Sequence, residues 1–241
     1  TPSYNSEKYI QNTIQSVINQ SYENWEMIIV DDCSTDETIK IIKEYQQIDK
    51  RIVLITKSVN EGAAVSRNTA INVARGKYLA FLDSDDIWYP NKLDEQITFM
   101  KNSKVTFSYS MYRVMNENGE DLNRVIKVPN KIDYNYLLKN TIIGCLTVIL
   151  DRELIGEVKM PNIRAKQDTA LWLGILKKGQ YAYGYQKELA SYRLVKGSIS
   201  SNKFKAIMHM WNLYRRIERI GVVKSAWYLM NYGVNAIKKR S

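Results

Sequence analysis

The chain has 241 residues, 45% of them hydrophobic and 25% charged, enough to bury a full core as one large domain or as a domain with an appendage. Two distant cysteines, Cys33 and Cys145, and a single histidine, His209, argue against a disulfide framework, a zinc or multi-histidine centre, or a histidine-dependent nucleophilic site, so any metal must be held mainly by oxygen. The formal net charge of +10 is unevenly spread, with nine Lys and Arg against Glu218 alone in residues 203–241; this argues against a nucleic-acid groove through the main body and points to an anionic surface or polyanion met by one appended element.

The chain opens on Thr1-Pro2-Ser3-Tyr4-Asn5, a turn-like string that in an alternating architecture follows a strand, so an initial strand is expected ahead of it. Trp25 to Asp31 reads as a buried strand, and Thr35 to Gln47 has helical spacing at Ile39, Ile42 and Tyr45. Arg51 to Thr56 reads as a second strand. Gly62 to Ala74 reads as a helix of small residues, and Tyr78 to Leu82 as a short strand that runs into Asp83-Ser84-Asp85-Asp86. This alternation predicts an α/β fold with a mostly parallel, Rossmann-like sheet and helices on both faces, in which ligands bind beyond the carboxyl ends of the strands. Asp31-Asp32 and the acidic cluster both fall at such ends.

The second half is less regular. Val105 to Met115, a turn at Asn116 to Gly119, and Leu122 to Val128 predict a hairpin, with helical and strand pieces following through Arg193. The longest apolar stretch, Ile142 to Leu150, is about half of the ~20 residues a membrane span needs. From Lys203 the pattern is helical, with Ile207, Met210, Trp211, Tyr214 and Ile217 on one face and Lys205, Asn212, Arg216 and Arg219 on the other. Its apolar face fits either packing on the main domain or an anionic membrane surface.

Three carboxylates within four residues repel one another, and a loop that holds them at a strand end calls for a cation or raised pKa values. Mn²⁺ or Mg²⁺ matches, because hard divalent ions take carboxylate and phosphate oxygens. A solvated acidic turn is the alternative for this cluster taken alone.

Four segments in order carry a resemblance: Pro2-Ser3-Tyr4-Asn5, Val30 through Asp36, Gly62 through Asn68, and Phe81 through Pro90 together resemble family 2 glycosyltransferases. The resemblance covers roughly residues 1–200 and is strongest to Leu93. It implies the GT-A fold, a metal-dependent inverting transfer and a nucleoside diphosphate sugar donor. Residues 1–202 then form the catalytic domain, with 1–100 as the nucleotide-sugar half and 101–202 as the acceptor half, and 203–241 is a basic amphipathic helical tail.

Carried over residue by residue, the resemblance puts Pro2 and Tyr4 beside the nucleobase and Asp32 under a base NH of the kind uracil offers. Arg67 reaches the base or a phosphate with paired donors, although a surface ion pair would also suit it. Asp83 faces the ribose, Ser84 belongs to the donor loop, and Asp85 with Asp86 holds the metal; which carboxylate binds directly is not fixed by the motif. Gln167-Asp168 stands where the family has Glu-Asp, so Asp168 keeps the general-base position, with helix capping as its alternative. Arg193, Lys196 and Ser198 resemble a segment near the diphosphate and would offset charge on the leaving group. Trp88 and Trp172 suit stacking on a sugar or plain packing.

The expected reaction is transfer of a sugar from a uridine diphosphate sugar to a saccharide or lipid-linked saccharide hydroxyl, in bacterial surface polysaccharide assembly. The expected location is the cytoplasm, peripheral on the inner face of the membrane. A sugar-1-phosphate nucleotidyltransferase would carry a Gly-rich basic loop near the first strand, and Thr1 to Glu7 has none. A nicotinamide enzyme lacks its GxGxxG. A non-catalytic sugar-nucleotide or polyanion-binding module would not need both Asp85 and Asp168.

Overall fold

The computed structural model describes residues 1–195 and 203–238. Two sheets carry the fold. The first is fully parallel, in the order β1 (Pro2–Ser3), β2 (Met27–Asp31), β3 (Ile52–Thr56). All five residues of β2 are buried, as expected for a central strand with helices on both faces. Met27 and Ile29 pack in a cluster with Ile10, Ile14 and Val17 of α1 (Ile10–Ile18) and Ile42 of α2 (Thr38–Ile48), whereas Ile28 and Val30 pack against Ala70 of α3 (Ala63–Val73). The period-2 alternation of one strand thereby binds helices on opposite sides.

The second sheet runs β4 (Tyr78–Ala80), β9 (Ile149–Asp151), β6 (Phe107–Met115), β10 (Ala182–Arg193), β5 (Ile87–Trp88), with β7 (Asp121–Ile126) on β6 and β8 (Lys131–Ile132) on β10. Here β6 and β10 pair in parallel, while β4, β5, β7, β8 and β9 all pair antiparallel. The first sheet is therefore purely parallel and the second mixed; the β6–β7 hairpin supplies one of its antiparallel pairings, its turn closed by Gly119 N–H donating to the Asn116 carbonyl at 3.1 Å. Helix α4 (Lys92–Ser103) follows β5, and the short helices α5 (Tyr134–Leu138) and α6 (Arg152–Ile155) flank β8 and β9.

The core of the second half is centred on Trp172 of α7 (Gln167–Leu176), which meets Phe81 edge-on and Phe107 at a tilt, each with ring centroids 5.3 Å apart. Met210 of α8 (Lys203–Asn212), Leu213 and Tyr214 of the π-helical turn Leu213–Ile217, and Tyr232 of α9 (Val222–Lys238) belong to the same cluster. The Tyr214 hydroxyl donates to the Leu138 carbonyl at 2.5 Å. Of the two alternatives for the tail's apolar face, Met210 and Tyr214 take the packing one and close the core of the main body, whereas Ile207 of the same face is 41% exposed. No described helix is long and apolar enough to cross a membrane.

Candidate active site

Two loops at the carboxyl ends of β1 and β2 are laced together. Asp32 N–H donates to the Ser3 carbonyl at 2.8 Å, Asn5 N–H to Ser34 Oγ at 2.9 Å, and Thr35 N–H to Asn5 Oδ1 at 2.9 Å. Asp31 is consumed internally, its carboxylate accepting from Ser34 N–H at 2.8 Å and Ser34 O–H at 2.5 Å. Tyr4 projects from this lacing half-exposed, at 52%, so its ring is open to a planar ligand. Asp32 is buried and accepts from Lys57 Nζ at 2.9 Å, Glu61 N–H at 3.1 Å and Gly62 N–H at 2.6 Å. Burial alone would raise its carboxyl, but these donors hold it below the usual range. Three of about four acceptor positions are filled, which leaves room for one further donor.

Gly62 is also the residue before α3, at φ of 90°, a backbone region where glycine is favoured. The helix that starts there carries Arg67 to the acidic loop, so α3 connects the Asp32 pocket to the carboxylates. Arg67 is 6% exposed and ion-paired with Asp83, and its Nε and Nη1 have no partner among the described residues. Burial opposes the charge, but Asp83, Cys145 and Asp168 raise its pKa further. Arg67 is thus a buried cation between two acidic segments rather than a surface ion pair.

The acidic loop is held from three sides. Thr13 of α1 donates its hydroxyl toward the Ser84 carbonyl at 3.0 Å and the Asp86 carbonyl at 2.8 Å. Arg193, at the end of β10, donates its backbone N–H to Asp86 Oδ1 at 2.8 Å, its Nε to the Asp85 carbonyl at 2.7 Å, and its Nη1 to the Glu117 carbonyl on the hairpin tip at 3.0 Å. The Tyr9 hydroxyl bonds Glu117 Oε1 at 3.0 Å, and the Arg193 guanidinium lies 4.9 Å from the Tyr9 ring centroid. Asp86 is fully buried and its Oδ2 has no partner among the described residues.

This differs from the sequence expectation for Arg193, which is spent on main-chain carbonyls behind the loop instead of facing the leaving group. Lys196 and Ser198 lie outside the described residues. Pro2 sits in β1 beside Val30. Trp88, 6% exposed with Nε1–H bonded to the Leu146 carbonyl at 2.7 Å, and Trp172, fully buried, are packing residues and not sugar platforms.

Desolvation and the neighbouring Asp83 push the Asp85 carboxyl up to about 6, and desolvation with Asp85 and Asp83 raises Asp86 well above its usual value. An acidic pair raised in this way, together with the orphan Asp86 Oδ2, is a donor set short of positive charge, and it fits a hard divalent cation. Among the described residues no cluster of three or more acidic, His or Cys side chains encloses a metal, so ligands beyond the loop would have to complete its shell, as phosphate oxygens do.

Asp168 lies in the first turn of α7, half-buried, with Thr169 O–H donating to its Oδ1 at 3.3 Å. The N-cap is Lys166, in the left-handed region at φ of 65°, so Asp168 does not cap the helix. Its charge acts on both Arg67 and Cys145, as does that of Asp83, so Asp168 is within electrostatic reach of the buried Arg67. A cavity of about 800 Å³ lies behind the loop; its lining includes Met27, Ile28, Leu79, Phe81 and Arg67 but none of these carboxylates.

Residues 1–158 match the family model described as Glycosyl transferase family 2. The chain belongs to glycosyl transferase family 2. It is a glycosyltransferase. It is 52% identical over 240 residues to the Bacillus subtilis protein named "Putative teichuronic acid biosynthesis glycosyltransferase TuaG", covering 100% of this chain and 95% of the relative. It is 43% identical over 241 residues to the Escherichia coli UDP-Glc:alpha-D-GlcNAc-diphosphoundecaprenol beta-1,3-glucosyltransferase WfgD, covering 100% and 93%. The fold is that of the GT-A enzymes: S. aureus TarS 1–349 in complex with UDP-GlcNAc superposes with a TM-score of 0.72 at 19% identity over 96% of this chain and 69% of that one. The Pyrobaculum calidifontis mannosyltransferase PcManGT, in complex with GDP-Man and Mn²⁺, superposes with a TM-score of 0.70 at 17% identity, over 97% and 71%.

Sequence reasoning passed over α1 and Thr13, the hairpin residue Glu117, and Lys57. Ile10, Ile14 and Val17 form a legible helical stripe, and Thr13, a polar residue inside that stripe, was the available signal. Glu117 and Lys57 act through contacts with sequence partners far away, which no local pattern marks.

Proposed function

We propose that the chain transfers a sugar with inversion from a uridine diphosphate sugar to a hydroxyl of a lipid-linked saccharide, in assembly of a bacterial surface polysaccharide at the inner face of the cytoplasmic membrane. The observation that carries the donor half of this reading is the acidic loop, which is pinned by Thr13 and Arg193 while its buried carboxylates remain short of positive charge. Asp85 and Asp86 would hold Mn²⁺ or Mg²⁺, which supplies Lewis-acid stabilisation of the diphosphate leaving group.

The remaining roles fall to the chain's own groups. Tyr4 offers a ring face to the base, and Asp32 has one acceptor position left for a base NH. Arg67 holds Asp83 in place beside the ribose, and Arg193 positions the loop backbone. Asp168 accepts the proton of the acceptor hydroxyl as that oxygen attacks the anomeric carbon; a single base and a single displacement give inversion. Preference for uridine is supported by the names of WfgD and the TarS complex, and the lipid-linked acceptor by that of WfgD alone.

Differential scanning of the full chain against UDP and GDP sugars, with and without Mn²⁺, tests this. A UDP sugar should raise the melting temperature in Mn²⁺, and Asp85→Asn should abolish the metal-dependent part. A rise with GDP sugars alone would overturn the uridine assignment, and equal shifts with and without metal would overturn the cation site.

A further inference from the structure

Helix α9 has apolar residues on two opposite faces. Ser225 and Tyr232 are buried, and Tyr228 and Leu229 pack on the core cluster. At about 100° per residue, Val223, Trp227, Met230 and Val234 fall on one stripe turned the other way. They are 84%, 47%, 64% and 49% exposed. A helix that only covers a core needs one apolar face, and the described chain leaves this outer row largely uncovered.

The charge along α9 has one sign. Residues 219–238 contain no Asp or Glu, while Arg216, Arg219 and Lys224 are exposed on α9 or the turn before it. Lys139 Nζ sits 4.8 Å from the Trp227 ring centroid, at the edge of the row. Glu218, the acidic residue of this region, is buried and paired with Lys177 at 3.0 Å, and so does not offset the rim.

We propose that the outer row of α9 docks on an anionic lipid bilayer, with Trp227 and Met230 entering the headgroup boundary and Arg219, Lys224 and Lys139 facing the phosphates. A shallow apolar stripe with a basic rim is the chemistry of a helix lying in the plane of such a surface. A second copy of the chain would bring two basic rims together, and that repulsion disfavours self-association through this row. The surface is separate from the donor loop, and the proposal stands or falls independently of the donor assignment.

The test is cosedimentation of the full chain with vesicles of phosphatidylcholine alone and with added phosphatidylglycerol, at low and high salt, beside the Trp227→Ser/Met230→Ser double variant. The parent should bind anionic vesicles at least about tenfold better than neutral ones and be released by salt, and the double variant should bind about tenfold more weakly. The melting temperature and light-scattering mass of the two proteins should agree. Lys224→Glu provides a second arm that leaves the apolar row intact, and it should also weaken anionic binding. A parent that ignores anionic vesicles, or variants that bind as the parent does, overturns the proposal. A parent dimer that the double variant dissociates assigns the row to a second copy instead.

Discussion

Asp168 and Lys92 are both ionisable side chains outside the acidic loop, and their surroundings assign them opposite characters. Asp168, the base proposed above, is half-buried at the start of α7 and off the capping position. Asp168→Asn is therefore expected to leave the nucleotide-induced rise in melting temperature unchanged while lowering kcat by about 10²–10⁴. Transfer assays on the purified variant check this, and retained turnover removes the base assignment. Lys92 is fully buried, bonded to Gln96 Oε1 at 2.6 Å and the Thr147 carbonyl at 3.3 Å, and burial pushes its pKa from 10.5 down to about 7. Between about 7 and 10.5 the unfolded chain holds this proton and the folded chain does not, so the Lys92 contribution to stability rises with pH across that window. Relative to Lys92→Met, the parent should gain stability from pH 7 to pH 10 in denaturant titrations. Residue type does not distinguish Lys92 from a surface lysine, and only its burial beside Gln96 and the Thr147 carbonyl lowers its pKa.

At the scale of elements, the acidic loop is ordered by parts of the chain that are remote from it in sequence. Thr13 of α1 reaches Ser84 and Asp86 across about seventy residues, and Arg193 of β10 reaches Asp85 and Asp86 across more than a hundred. Thr13→Val keeps the shape of the side chain and removes the donor to two carbonyls. It should cost about 1–3 kcal/mol and raise the KM for the donor more than it lowers kcat, because the loop that meets the diphosphate loses a restraint. Denaturation and steady-state kinetics on the same preparation separate the two effects. The elements themselves were largely legible: Ile39, Ile42 and Tyr45 predicted α2, the small residues after Gly62 predicted α3, and Asn116 to Gly119 predicted the hairpin turn. The pairing direction in the second sheet was not, because a strand's own pattern records how it is buried and not which neighbour it meets.

For the whole molecule, the basic C-terminal segment is joined to the main body by its core. Met210, Leu213, Tyr214 and Tyr232 pack with Trp172, Leu137 and Leu138, and each large side chain so buried contributes about 1.5–3 kcal/mol. Together they rival the ~5–15 kcal/mol that holds a domain folded, so a chain ending at residue 202 should lose its cooperative melting transition by calorimetry. A sharp transition near that of the full chain would show the segment to be dispensable. By itself, the sequence determined the alternation of strand and helix, the acidic cluster at a strand end, the nucleotide-side segments and the family they resemble, since all of these are local patterns or short spaced motifs. Tertiary structure alone decided that Arg67 is buried against Asp83, that Arg193 supports the loop from behind, and that α9 keeps a second apolar face uncovered by the chain. Each of those depends on which distant groups share a low-dielectric neighbourhood, and burial and charge pairing are properties of the folded surface rather than of the order of residues along the chain.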